Sequence, residues 1–191
     1  MVERTLLFRV PFGDSLARLR GLRLAAYGTL LGHAGMGVLV AGVAGMSLAT
    51  ERVVLLHPGE SARSAGYTWT LEAVHDAVGP NYAARVATLR VARDGRTVTV
   101  LHPERRFFPT QRTTTTEAAI RTNGLADIYA VLGEERDGAA VMRLHYNPLA
   151  PWIWLGALVM AAGGGLSLLD RRTRVGAPAR AKAARPAPAA A

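Results

Sequence analysis

The sequence predicts a membrane protein with two transmembrane helices flanking an extracytoplasmic, mainly β domain, closed as a small OB-like barrel or as a sandwich. Three observations lead there. Two stretches, 24–50 and 144–169, contain no Asp, Glu, Lys or Arg in a chain of 191 residues. The net charge of +9 is concentrated at the two ends, just outside those stretches. The segment between them carries alternating apolar residues broken by Asp-Gly and Asn-Gly pairs, which is strand-and-turn chemistry.

Residues 1–23 hold five basic and two acidic side chains and read as a cytoplasmic lead-in. Within them SLARLRGLR, 15–23, spaces Leu16, Leu19 and Leu22 helically between arginines, a pattern suited to a membrane surface or to a solvated linker. Residues 24–50 read as the first transmembrane helix, since about 20 residues of helix cross a bilayer core. A signal peptide with a cleavage site near Ser47-Leu48-Ala49 is the competing reading. Its apolar part usually has only about 7–15 residues, which argues against it.

Residues 51–147 read as the extracytoplasmic β-rich domain. The clearest element is RVATLRVARDGRTVTVL, 85–101. A type I′ turn at Asp94-Gly95 puts Arg93 opposite Arg96, Val91 opposite Val98 and Leu89 opposite Val100, with the two apolar pairs on one face. Further strands are expected at 67–74, 128–132 and 140–144, with turns at Asn123-Gly124 and Asp137-Gly138. Residues 148–169 read as the second transmembrane helix, with Trp152 and Trp154 as anchors at its outer interface. Residues 170–191 carry six basic and one acidic side chain among Ala and Pro, and read as a disordered cytoplasmic tail. Basic clusters flanking both apolar runs put both termini in the cytoplasm by the positive-inside rule. Basic residues gathered at chain ends, rather than on a folded face, argue against nucleic acid as a partner.

There is no cysteine, so the domain between the helices needs its own core and does no thiol chemistry. His33 is the candidate site residue. It sits in LLGHAGMGVLVAG, 30–42, with Ala26, Thr29, Leu30, Met36, Gly37 and Val40 at helical spacings. Gly28 and Gly32 form a GxxxG step, which allows close approach of a helix or a flat ligand. An ionisable ring within a span is costly and calls for a function. A neutral imidazole there can be an axial ligand of haem iron or a hydrogen-bonding link between helices, and the residues alone leave these level. Met36 is on the same side of the helix, so it cannot bind the opposite face of the same iron. His57, His75, His102 and His145 have no compact metal-ligand spacing and read as exposed loop or strand residues. In HPERRFFPTQR, 102–112, Arg105, Arg106 and Arg112 suit carboxylates. They are read first as a loop meeting lipid phosphates or acidic side chains. No catalytic residue is assigned.

GHAG at 32–35, GPNY at 79–82, TEAAI at 116–120, DIYAVLGE at 127–134 and PWIWLGALVMAAGG at 151–164 followed by DRR resemble, in order and spacing, the carboxy-terminal region of CcmF. CcmF is the haem lyase component of bacterial cytochrome c maturation. The resemblance implies a polytopic inner-membrane protein that helps attach haem to the CXXCH thiols of apocytochrome c. It also implies a transmembrane b-type haem held by two histidines, with His33 matching the later of the two. The second ligand would come from a separate chain or a longer protein. Implied partners are the remaining CcmF-like transmembrane portion, a periplasmic haem chaperone, thiol-reducing maturation subunits and apocytochrome c. The chain is not expected to catalyse attachment alone. The rival reading is a two-span assembly scaffold presenting a periplasmic β module without a cofactor.

Overall fold

The structure, a computed structural model, describes residues 23–170. Leu24–Gly45 forms helix α1 and Ala150–Leu169 forms helix α2. At about 1.5 Å of rise per residue, 22 and 20 residues give rods of about 33 and 30 Å. Both helices are long and apolar enough to cross a membrane. Helix α1 ends before the uncharged run does. Met46–Leu48 is one 3-10 turn, Ala49 is already extended, and Thr50 opens a strand. Absence of charge marked where lipid is tolerable, not where helical hydrogen bonding stops.

The described residues divide into two compact units, one up to Gly32 and from Ala161, the other His33–Met160. In the first, a Cβ added to Gly28 would sit 2.5 Å from the Gly163 carbonyl, so these backbones nearly touch. Asp170 Oδ2 accepts a hydrogen bond from Ala25 N at 3.1 Å. The start of the expected tail is therefore a buried carboxylate (7% exposed) capping helix α1, where its charge also meets the helix dipole.

The second unit holds the β module. Its strands are β1 Thr50–Leu56, β2 Ser61–Ser64, β3 Tyr67–Val78, β4 Ala83–Arg93 and β5 Arg96–Leu101. They continue as β6 Glu104–Phe108, β7 Thr113–Glu117, β8 Ala119–Thr122, β9 Ala126–Arg136 and β10 Ala139–Pro148. One sheet runs β1-β10-β9-β8 and the other β2-β3-β4-β6-β7, with β5 also on β4. Two separate sheets enclosing one core make this a sandwich. Trp69, Leu71, Leu89 and Val91 of one sheet meet Ile128, Leu132, Met142 and Leu144 of the other, all essentially buried. Trp69 Nε1 donates to the Ser64 carbonyl at 3.3 Å, so its polar edge is satisfied inside the core.

Three bulges aim side chains. An extra residue at Glu72 in β3 moves the inward set from Tyr67, Trp69 and Leu71 to Val74 beyond it. A second, at Val98 in β5, corrects the expected hairpin. The Asp94-Gly95 turn has positive φ at both residues and pairs Arg93 with Arg96 as expected. Beyond it, Val91 pairs with Thr99 and Leu89 with Leu101, not with Val98 and Val100. The bulge lets Leu101 reach the core while Val98 still packs on it; strict alternation would have left Leu101 outside. The third lies at Gly133-Glu134 in β9.

Strands β1, β2, β6, β7 and β8 were not expected from the sequence. The stretch 104–108, read as loop, is a strand held between β4 and β7 by antiparallel pairing on both sides. Residues 1–22, with the amphipathic segment, and 171–191, with most of the expected tail, lie outside the described residues.

Candidate functional site

Helix α1 has a packed face and an open face. In the second unit, a Cβ on Gly35 would lie 2.7 Å from both Gly156 O and Met160 N, and one on Gly42 2.8 Å from Ile153 N. A Cβ on Gly156 would lie 2.5 Å from Leu39 N. Only hydrogen fits at these positions, so α1 and α2 meet backbone to backbone. At 3.6 residues per turn, His33 is about 180° around α1 from Gly42. Its side chain is therefore exposed on the face turned away from α2.

That face also carries Met36 and Val40, both more than half exposed. Gly37, one turn beyond His33, has nothing within 4 Å of where a Cβ would be. The GxxxG step expected at Gly28 and Gly32 does receive α2: a Cβ on Gly163 would lie 2.6 Å from Gly28 O and 2.7 Å from Gly32 N, although one on Gly32 itself would meet nothing. The packed glycines are Gly28, Gly35 and Gly42, seven apart, a spacing legible in the sequence that would have fixed the phase of His33. Met36 does not lie across from His33, and α2 is on the wrong side to provide a trans ligand. An imidazole beside an open glycine fits one edge of a flat, iron-bearing macrocycle. Among the described residues, His33 is the only histidine of the two helices.

The other histidines separate by environment. His57 Nδ1 lies 3.3 Å from Glu60, whose carboxyl falls below its ordinary pKa chiefly by accepting the His57 backbone N–H. His75 and His102 are exposed. His145 corrects the expectation of exposure. Its ring stacks on Tyr129 at 4.2 Å between centroids, its side chain is only 15% exposed, and burial pushes its pKa down. Glu51, 3.9 Å away, pulls it the other way and Arg143 adds to the depression.

Two of the three arginines of 102–112 meet acidic side chains. Arg105 Nη2 donates to Glu134 at 3.1 Å. Arg106 Nε donates to Glu104 at 2.8 Å and lies over the Tyr82 ring; Glu104 is the main reason its pKa is raised. Arg112 occupies a turn at φ 50°. In GPNY, a Cβ on Gly79 would fall 2.3 Å from the Tyr82 ring, which explains the glycine. Trp152 does more than anchor: its Nε1 donates to the Gly124 carbonyl at 3.1 Å, fastening α2 to the turn before β9. Trp154 is exposed.

Fold and site together define a β-sandwich module carried on a close-packed pair of apolar helices, one presenting an outward imidazole. Residues 47–148 match the family described as CcmF C-terminal beta-sandwich. The chain belongs to that family. It is 42% identical over 185 residues to the cytochrome c-type biogenesis protein CycK of Bradyrhizobium diazoefficiens, covering 96% of this chain and 28% of that protein. It is 41% identical over 150 residues to Escherichia coli CcmF, covering 78% and 23%. A solved structure titled Cytochrome c Heme Lyase CcmF has the same fold, with a TM-score of 0.63 at 21% identity over 88% of this chain and 27% of that one. The chain thus spans about a quarter of the length of these relatives.

Proposed function

We propose that this chain is part of a cytochrome c haem lyase and supplies His33 as one axial ligand of a transmembrane b-type haem. The observation that carries the reading is the outward imidazole of His33 beside open Gly37, opposite the glycine face packed on α2. The haem would supply electron transfer, keeping the iron of haem awaiting attachment reduced. His33 would hold the haem iron through a neutral ring nitrogen, which requires an unprotonated imidazole. Gly37 admits the macrocycle edge, while Met36 and Val40 keep water from it. Packing of Gly35, Gly42 and Gly156 fixes the direction in which His33 points. The second ligand would come from another transmembrane helix, in the remaining CcmF-like portion.

On this reading α1 and α2 cross the bacterial inner membrane with both termini in the cytoplasm and the sandwich in the periplasm. The sandwich then faces the haem chaperone, the thiol-reducing maturation subunits and apocytochrome c. Attachment itself is assigned to the assembled lyase. The test is to purify the lyase with its partners from cells carrying His33→Ala and measure haem per complex and holocytochrome c yield. Loss of the non-covalent haem with the complex still assembled supports the reading. An unchanged haem content overturns it and leaves the scaffold role.

A further inference from the structure

Four strand edges of the sandwich are bridged in pairs, and a fifth is left open. Arg52 of β1 donates to the Arg63 carbonyl of β2, bridging those two edges. Arg121 of β8 donates to the Val98 carbonyl of β5 at 3.0 Å, bridging two more. Strand β7 ends the six-stranded sheet, and among the described residues no backbone hydrogen bond crosses its outer side. All five of its residues, Thr113–Glu117, are exposed. Natural edges are usually blunted by Lys, Pro, bulges or cover. The four threonines of β7 do the reverse, since Thr favours extended backbone and adds no charge.

The sheet face beside this edge is also unusual. The six-stranded sheet extends past its partner, and cross-strand pairing places two rows on the overhang. Asp76, Arg85, Arg105 and Thr116 form one, and Val78, Ala83, Phe107 and Thr114 form the other, farther out. Glu135 holds Arg85 through two 2.7 Å hydrogen bonds and is the main cause of its raised pKa, and Asp76 adds a third bond. That network closes the end of the core. The outer row is largely open to solvent, with Val78 89% and Phe107 44% exposed. A depression of about 290 Å³ lies between the rows, lined by Arg85, Arg105, Phe107 and Thr114 among others. Arg105 spends one bond on Glu134, and a guanidinium has five N–H donors.

We propose that β7 is a docking edge for an extended segment of a partner polypeptide, which joins the six-stranded sheet as an added strand. Its backbone pairs with β7, and its side chains prolong both rows. An apolar residue lies opposite Thr114 against Phe107, and a carboxylate two positions away, opposite Thr116, bonds to Arg105. Main-chain pairing gives affinity and the two rows give selectivity. The proposal is independent of His33.

The probe is a blocked, fluorescein-labelled ten-residue peptide of alternating Val and Thr with one central Glu replacing a Val. It is titrated onto the full chain in detergent micelles. Two further peptides carry N-methyl groups on one or the other alternate set of backbone nitrogens. An added strand donates through one set only, so one methylated peptide binds like the parent and the other loses at least tenfold. Arg105→Gln weakens the parent at least tenfold, because a hydrogen bond to a charged group contributes about 1.5–3 kcal/mol. Amide exchange in β7 slows with the parent peptide. Equal binding of both methylated peptides, or no binding of the parent, overturns the proposal. Unchanged affinity in Arg105→Gln, with the fold checked by circular dichroism, overturns the carboxylate assignment.

Discussion

Gly156→Ala should separate the helices that aim His33. A Cβ there lands 2.5 Å from Leu39 N and 2.6 Å from Gly35 O, whereas ordinary contacts begin at 3.4 Å. Both obstacles are backbone of α1, so no side chain can move aside, and the deficit of 3.4 − 2.5 = 0.9 Å must come from the helices parting. Overpacking of this kind costs about 1–3 kcal/mol. The effect opposes the gain of about 1 kcal/mol that Ala brings over Gly in a helix interior. Gly37→Ala is the matched control, for its added methyl meets nothing and it should be neutral or slightly stabilising. Thermal unfolding of the full chain in detergent, followed by circular dichroism, should rank Gly37→Ala at or above wild type and Gly156→Ala below it. Equal stability of the two variants would refute the claim that the packed and open faces of α1 differ.

Trp69→Ala removes the central, fully buried side chain of the sandwich and orphans the Ser64 carbonyl, and should cost about 3–5 kcal/mol in urea unfolding. Asp170→Ala deletes the cap on Ala25 N and should cost about 0.5–2 kcal/mol, with Asp170→Asn recovering part of it. Burial lowers the pKa of His145, so just below its unfolded value of about 6.5 the unfolded chain binds more protons than the folded one. Its contribution is therefore fully present above that value and is lost as pH falls through the depressed pKa. His145→Phe, which keeps a ring against Tyr129, should flatten that part of the stability–pH curve.

How far sequence reached depended on the range of the interaction involved. Turns at Asp94-Gly95 and Asp137-Gly138 are local chemistry, and both show the positive φ pairs their residues favour. Bulges at Glu72, Val98 and Gly133 answer to which residues must reach a core assembled from distant strands, so alternation alone misplaced Val98 and Val100. Arg105 looked like loop because its partner, Glu134, arrives from a strand far along the chain. The seven-residue glycine spacing fixed the packed face of α1, and Asp170 read as tail because its partner is the first turn of the other helix. His33 itself was visible as an anomaly of composition; its direction required the packing.

The central claim is that His33 holds haem iron, and a reduced-minus-oxidised visible spectrum of the lyase purified with its membrane partners tests it most directly. The account predicts a b-type α band in the wild-type complex that disappears in His33→Ala while the subunits still copurify. Gly37→Ala should keep the fold and weaken or shift the band. A His33→Ala complex with the wild-type band at full intensity would contradict the account.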